Sequence, residues 1–175
     1  MAINLHLLSS HMNKILTLLI LLAFPHATFA LDSGDSPPNF SLQSNQNQEV
    51  GPKQFSGNVL YLDFWASWCG PCKQSFPWMN AIQKEFESRG FKVLAVNLDS
   101  SKKDAERFLS ENSSNLTIAF DQDGKIPELY GIHSMPSSFL IDRKGKIVAA
   151  FEGFHDEDKD KIREKIIALL NDGKE

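Results

Sequence analysis

The sequence NVLYLDFWASWCGPC spans residues 58–72 and predicts the centre of the fold. Its first eight residues are almost continuously apolar, which is typical of a strand buried on both faces of a sheet. Cys69 and Cys72 follow where this strand gives way to a helix. From Cys72 to Phe86, apolar residues recur every three or four positions, and Gly90 ends the pattern. The stretch therefore predicts a buried strand leading into a helix that carries two cysteines at its start.

The remaining elements alternate strand with helix and then close with a hairpin. Four further strands are predicted at residues 92–98, 116–120, 138–141 and 147–151. Helices are predicted at residues 102–111 and from Asp156 to just before Gly173, with one helical turn at residues 126–130. Short apolar segments around the polar residues 43–48 predict a small hairpin near the start. This order predicts an α/β sandwich built on a mixed sheet.

Composition narrows the class of protein. The chain has 175 residues, and the part after residue 30 carries 17 basic and 22 acidic side chains. That length suits one domain, residues 31–175. The excess of acidic side chains argues against a nucleic-acid partner, because proteins that bind nucleic acids carry a basic stripe on their surface. Two cysteines exclude a framework of several disulfides, and no stretch after residue 30 is apolar enough to span a bilayer.

Residues 1–30 predict a signal peptide. Lys14 is their only charged residue, the run ILTLLILLAF follows it at residues 15–24, and Thr28 and Ala30 are small. This order is typical of a secretory signal cut after Ala30. An uncleaved membrane anchor is the alternative, although ten apolar residues fall short of the ~20 that a spanning helix needs. We therefore expect an extracytoplasmic location, in a compartment where disulfides persist.

The two cysteines are the strongest candidates for chemistry. The start of a helix stabilises a thiolate and lowers a cysteine pKa from about 8.5 to roughly 3.5–7.5. We expect Cys69, at the exposed start, to attack disulfides, and Cys72, one turn further in, to resolve the mixed disulfide. Pro71 suits a first helical turn, where its missing N–H has no partner to lose. A zinc site needs about four ligands, and a structural disulfide closing so small a loop contributes little, so both alternatives are weaker.

These residues resemble a known superfamily. WCGPC at residues 68–72, after FWA at residues 64–66, is similar to the thioredoxin active site. Residues 36–42, 121–132 and 135–142 resemble the TlpA/ResA-type branch, which comprises exported thiol–disulfide oxidoreductases of bacteria. The resemblance implies a thioredoxin-like sandwich with helices flanking the sheet, an N-terminal β-hairpin and an inserted strand-plus-turn segment. It also implies a periplasmic location, protein clients, a membrane electron donor, and no cofactor beyond a Cys69–Cys72 disulfide.

The resemblance further implies a client-binding surface beside the dithiol. It implies that the Met135–Pro136 peptide bond is cis, so that the backbone of Met135 can pair with an extended client next to Cys69. We expect Trp68 to cover the reactive sulfur. The predicted client-binding residues are Trp68, Gly70, Pro71, Met135 and Pro136.

Asp63 is the candidate proton acceptor for Cys72. It lies on the apolar strand six residues before Cys69, where burial should raise its pKa. Thioredoxins carry Asp at this place, whereas TlpA/ResA-type proteins more often have Asn, and many place a Glu where this chain has Ser75. Thioredoxin also pairs its Asp with a Lys, at the position of Ala95 here. The alternative is a hydrogen-bonded or partly exposed strand residue.

The favoured function is reduction of disulfides in extracytoplasmic proteins, such as apocytochrome c, by a monomer. Gly70 and Pro71 between the cysteines resemble reducing thioredoxin, at about −270 mV, more than the oxidant DsbA, near −120 mV. A thiol oxidase or isomerase is the alternative enzyme. A copper-handling binding protein is a further alternative, with the two cysteines and His133 or Met135 as ligands.

Overall fold

A five-stranded sheet forms the centre of the structure, a computed structural model that describes residues 31–112 and 114–172. The predicted signal peptide, residues 1–30, lies outside the described residues. A two-stranded hairpin comes first among the described residues, with β1 at Leu42–Gln43 and β2 at Glu49–Val50. The strands of the central sheet are β3 (Val59–Trp65), β4 (Phe91–Asn97), β5 (Thr117–Phe120), β6 (Ser137–Ile141) and β7 (Ile147–Glu152).

Four α-helices accompany the strands in the described part of the chain. They are α1 (Gly70–Phe86), α2 (Lys102–Glu111), α3 (Ile126–Leu129) and α4 (Asp158–Asn171), with short 3-10 turns at Pro52–Phe55 and Glu87–Arg89. The left-handed backbone of Gly90, with φ of 85°, ends the second 3-10 turn and returns the chain to the sheet. The last helix starts two residues later than the sequence predicts. Among the described residues, none of the helices combines the length and apolarity needed to cross a membrane.

The sheet is mixed, as predicted. Its strand order is β5-β4-β3-β6-β7, in which β3, β4 and β5 are parallel, β6 runs antiparallel to β3, and β7 runs antiparallel to β6. All seven residues of β3 are buried, because this strand is central and covered on both faces. The segment formed by β5 and α3 is the predicted insertion between α2 and the loop that carries Pro136. The thioredoxin-like architecture is therefore confirmed.

Side-chain alternation along β3 builds two separate cores. Tyr61 and Trp65 point to the face covered by α1, α2 and α4, while Leu62 and Phe64 point to the face covered by the β1–β2 hairpin and α3. Trp65 packs on Phe76 of α1, with ring centroids 4.6 Å apart. This packing fixes the start of α1 against the carboxyl end of β3, and the dithiol lies between them.

Candidate active site

The two cysteines lie where β3 passes into α1. Cys69 occupies the N-cap position, and its sulfur accepts a hydrogen bond from the backbone N–H of Cys72 at 3.2 Å. A disulfide joins the two residues, whose Cα atoms are 5.3 Å apart. Pro71 stands in the first turn, as predicted. In the reduced protein, the same N–H and the positive end of the helix dipole would stabilise a thiolate on Cys69.

The prediction that Cys69 is exposed is wrong. Only 5% of the residue is accessible, and Cys72 is completely buried. The N-cap position turns the sulfur of Cys69 back over the first turn of α1, where it joins the apolar core. Its remaining surface opens onto a cavity of about 360 Å³. This cavity is lined by Trp68, Cys69, Gly70, Pro71, His133, Ser134 and Met135. Cys69 thus reaches the cavity, whereas Cys72 is shielded.

Trp68 lines the cavity beside Cys69 and is itself largely exposed, and its role in covering the sulfur stays a prediction. It is 71% exposed, because it stands on a tight turn in which the N–H of Cys69 donates to the carbonyl of Ala66 at 3.1 Å. The indole therefore flanks the cavity and is free to contact a partner. Gly70 leaves the neighbouring side open, since a Cβ added there would meet nothing within 4 Å.

The loop opposite the dithiol carries the predicted cis bond. The Met135–Pro136 peptide is cis, and Met135 lines the cavity while Pro136 is buried. The carbonyl of Pro136 accepts from the N–H of Gly153 at 2.7 Å, and the hydroxyl of Ser137 donates to the carbonyl of Ser134 at 2.8 Å. These bonds hold the loop beside Cys69. The chain thereby brings all five predicted client-binding residues to one end of the sheet.

Asp63 is buried on the helix-covered face of β3. It is 1% exposed and lies opposite Ala95 of β4 and Ser138 of β6. Tyr61 and Trp65, two residues away on either side, belong to the same core as Cys72, so the carboxyl group faces that core. Within the described part of the chain, Oδ2 of Asp63 has no hydrogen-bond partner. The alternative of a partly exposed residue is therefore wrong.

Burial raises the pKa of Asp63 well above its usual range, as the sequence predicts. The position that carries a Lys in thioredoxin holds Ala95, which cannot supply a compensating charge. The hydroxyl of Ser138 is instead paired with the phenol of Tyr61 at 2.7 Å, and burial raises the pKa of Tyr61 as well. Ser75 is buried and donates to the carbonyl of Cys72 at 3.1 Å, so its side chain serves its own helix.

Sequence reasoning missed a polar network directly behind the dithiol turn. Asp99, which follows β4, is 4% exposed and accepts hydrogen bonds from the N–H and the hydroxyl of Ser67, both at 3.0 Å. The side-chain amide of Asn97 donates to the same carboxylate at 2.8 Å. The signal was available, since Asn97 and Asp99 stand at the carboxyl end of the strand predicted at residues 92–98.

Two other features bear on the alternatives. His133 and Met135 line the cavity at Cys69, but the described residues contain no cluster of three or more His, Cys, Asp or Glu side chains placed to hold a metal. The described residues therefore offer no preformed set of ligands that would support the copper hypothesis. A larger cavity, of about 760 Å³, lies between the β1–β2 hairpin and the β5–α3 segment. Neither cysteine lines it, so the smaller cavity is the candidate active site.

Comparison with known proteins gives the same class of chemistry. The Redoxin family matches residues 32–166. The thiol-disulfide oxidoreductase ResA of Bacillus subtilis is 32% identical over 124 residues, covering 71% of this chain and 69% of that protein. ResA of Bacillus thuringiensis subsp. konkukian is 29% identical over 123 residues, covering 70% and 71%.

Solved structures agree with these relatives. A protein described as a thiol:disulfide interchange protein DsbE, from Chlorobium tepidum, is 48% identical, with a TM-score of 0.78, covering 81% of this chain and 99% of that chain. StoA from Bacillus subtilis is 27% identical, with a TM-score of 0.62, covering 73% and 96%. Taken with the Cys69–Cys72 pair at the start of α1, these matches show that the chain belongs to the Redoxin family, as a TlpA/ResA-type thiol-disulfide oxidoreductase of the thioredoxin superfamily.

Proposed function

We propose that this chain is an exported, monomeric reductase that transfers electrons from its Cys69–Cys72 dithiol to disulfides of extracytoplasmic proteins. One observation carries the proposal. Cys69 stands at a helix N-terminus and lines an open cavity, whereas Cys72 lies fully inside the core. This asymmetry suits a pair in which one thiol meets the client and its neighbour completes the exchange.

In the first step, the Cys69 thiolate attacks one sulfur of the client disulfide. The client S–S bond breaks, a bond forms between Cys69 and the client, and the departing client thiolate takes up a proton. The N–H of Cys72, which lies 3.2 Å from the sulfur in the disulfide form, is placed to stabilise the attacking thiolate before this step. The exposed indole of Trp68 and the backbone of Met135 bind the client beside the reacting sulfur.

In the second step, Cys72 resolves the mixed disulfide. Above the raised pKa of Asp63, where this residue is ionised, the Cys72 thiol gives a proton to its carboxylate, and the resulting thiolate attacks the sulfur of Cys69. The bond to the client breaks, and the Cys69–Cys72 disulfide forms. The client leaves with its second thiol, so that it has gained two electrons and two protons. A buried carboxylate with a raised pKa is a stronger base than an exposed one, which is the physical reason for giving Asp63 this role.

The reducing direction requires a supply of electrons. An extracytoplasmic compartment is oxidising, so we propose that a membrane electron donor converts the disulfide back to the dithiol. Apocytochrome c is the client class we favour, because haem attaches to the two thiols of a Cys-x-x-Cys-His segment, and these must be reduced. The apolar run and small residues of the predicted signal peptide support the export of this chain.

The direct test is capture of clients by a Cys72→Ser variant. Without the second thiol, the mixed disulfide cannot be resolved, and clients should accumulate on Cys69 in the compartment where the protein works. Cys69→Ser is the matched control, since it keeps the buried thiol and removes the accessible one. Equal capture by the two variants, or capture by neither, would contradict the assigned roles.

Redox equilibration with glutathione tests the direction. We expect a reduction potential below about −200 mV, in the range of reducing thioredoxins and glutaredoxins. A value near −120 mV, which is that of a strong oxidant, would instead support the thiol oxidase alternative.

A further inference from the structure

Asp99 holds the turn that carries the attacking cysteine. Both carboxylate oxygens are used on Ser67, one by its N–H and one by its hydroxyl, each at 3.0 Å. Ser67 is the second residue of the turn from Ala66 to Cys69, which closes with a bond from the N–H of Cys69 to the carbonyl of Ala66 at 3.1 Å. A single buried side chain is therefore attached to the corner of the turn that ends in Cys69.

Asp99 is itself fixed from the other side. The side-chain amide of Asn97 donates to its Oδ2 at 2.8 Å, and its own N–H donates to Oδ1 of Asn97 at 3.1 Å. The backbone of Asn97 is in turn paired with Trp65 in the β3–β4 ladder and with the N–H of Asp121, at 2.9 Å. Because Asp99 is bound to the sheet through Asn97 and to the turn through Ser67, it fixes the turn relative to the sheet.

The donors around Asp99 are all neutral in the described part of the chain, and no ion pair there includes this residue. A carboxylate that is 4% exposed and paired with neutral groups is costly to bury, so its two oxygens must be well satisfied to persist. Three donors satisfy them, and two of these three come from the turn next to the nucleophile.

We propose that Asp99 is a positioning residue for thiol–disulfide exchange. By holding Ser67, it keeps the sulfur of Cys69 at the N-cap of α1, within reach of the N–H of Cys72, and it directs Trp68 into solvent. The proposal rests on the proposed attack by Cys69 and adds a residue that never touches the client. Its effect on Cys69 is therefore geometric.

The direction in which the Cys69 pKa changes in Asp99 variants distinguishes a geometric effect of Asp99 from an electrostatic one. If Asp99 acted on Cys69 only through its negative charge, removing that charge would lower the Cys69 pKa and speed its reaction at acidic pH. If it acts by position, Asp99→Asn and Asp99→Ala should loosen the N-cap contact, raise the Cys69 pKa and slow the reaction. A residue with a purely structural role would lower the stability and leave the Cys69 pKa of the folded protein unchanged.

The experiment follows alkylation of Cys69 by iodoacetamide in the reduced full chain, from pH 5 to 9, with the modified peptide identified by mass spectrometry. Below the Cys69 pKa, we expect the Asp99 variants to react about fivefold more slowly than the unaltered protein, which corresponds to the ~1 kcal/mol that a helix N-cap typically contributes. Ser67→Ala keeps the charge and the backbone bond, so it should move the rate in the same direction by about twofold.

Asp142→Asn is the matched control. Asp142 is a partly buried carboxylate that likewise holds a turn, by accepting from the N–H groups of Lys144 and Lys146, but it follows β6 at the end opposite the Met135–Pro136 loop. This variant should leave the Cys69 rate unchanged. A faster rate in Asp99→Asn, or rates unchanged in both the Asp99 and Ser67 variants, would overturn the proposal. If the Asp99 variants do not fold, Ser67→Ala alone decides it. An unaltered protein whose Cys69 pKa is near 8.5 would instead refute the proposed attack itself.

Discussion

Replacing Asp63 by Asn should make the free energy of unfolding fall less steeply as the pH rises, because the substitution removes a buried carboxyl group that titrates. Burial raises the pKa of this carboxyl group in the folded chain, whereas in the unfolded chain it should titrate near the ordinary ~3.9. The folded state therefore holds a proton that the unfolded state releases. Stability linked to Asp63 is fully present below about pH 4 and is lost as the pH rises to the folded pKa, at about 1.4 kcal/mol per pH unit.

The Asn variant lacks this titration. The margin by which its free energy of unfolding differs from that of the unaltered protein should rise by about 1.4 kcal/mol per pH unit above pH 4, and then stay constant. The pH at which the margin stops growing is the folded pKa of Asp63. A constant cost or gain from the new amide group shifts the whole curve without changing its slope.

The assay is urea unfolding of the disulfide form between pH 4.5 and 8.5, in which the two cysteines do not titrate. Asp156→Asn is a suitable control. This exposed carboxyl group is paired with Lys159 at 2.6 Å, which lowers its pKa. Its contribution to the free energy of unfolding therefore changes only in acid. The difference in stability between Asp156→Asn and the unaltered protein should be constant from about pH 4.5 to 8.5. A margin for Asp63→Asn that is equally flat would refute the reasoning.

The same variant tests the proposed chemistry. With no carboxylate to accept the proton of Cys72, release of a mixed disulfide from Cys69 should slow by about 10²–10⁴-fold, the usual contribution of general base catalysis. Formation of the mixed disulfide, which depends on Cys69, should change far less. Stopped-flow or quenched single-turnover measurements separate the two steps, and equal slowing of both would remove Asp63 from the base role.

Three further changes test the surroundings of the dithiol. Trp68→Ala should lower kcat/KM for a protein client by about tenfold, since exposed aromatics dominate contact surfaces, yet leave alkylation of Cys69 by iodoacetamide unchanged; equal loss in both assays would contradict a docking role. Tyr130→Phe removes a 2.6 Å bond to the carbonyl of Pro38 and should cost about 1 kcal/mol in urea unfolding, with no effect on exchange. Phe76→Ala should cost about 3–5 kcal/mol by the same measurement, and a cost below 1 kcal/mol would show that this core does not pack as described.

The strands and helices could be predicted from the sequence because their patterns are local. The apolar run before the dithiol gave β3 within one residue of its bounds, and the three- to four-residue spacing after it gave the start of α1 within two residues. The predicted stop at Gly90 is the end of the 3-10 turn that follows α1. The cis bond at Met135–Pro136 came from the resemblance and not from local pattern, since an isolated X-Pro pair does not indicate its isomer.

Side-chain accessibility at the site could not be predicted in the same way. Exposure of Cys69 was inferred from its place at the helix start, but the N-cap geometry turns its sulfur inward. Trp68 is largely exposed because the turn from Ala66 to Cys69 sends it outward, and its place in the sequence does not indicate this direction. Both outcomes depend on a turn whose shape is set partly by Asp99, a residue thirty positions further along the chain.

The two buried carboxylates next to the dithiol show how hydrogen bonding, and not burial alone, decides what an acidic residue can do. Asp63 and Asp99 are 1% and 4% exposed, and each stands on or just after a strand at the centre of the sheet. Asp99 has three donors on its two oxygens, so its carboxyl group is held in place and can anchor a turn. Asp63 has an oxygen without a partner in the described residues, so protonation lowers the free energy of burying this carboxyl group. The first arrangement suits a group that must not change during the reaction, and the second suits a group that must take up a proton and give it back.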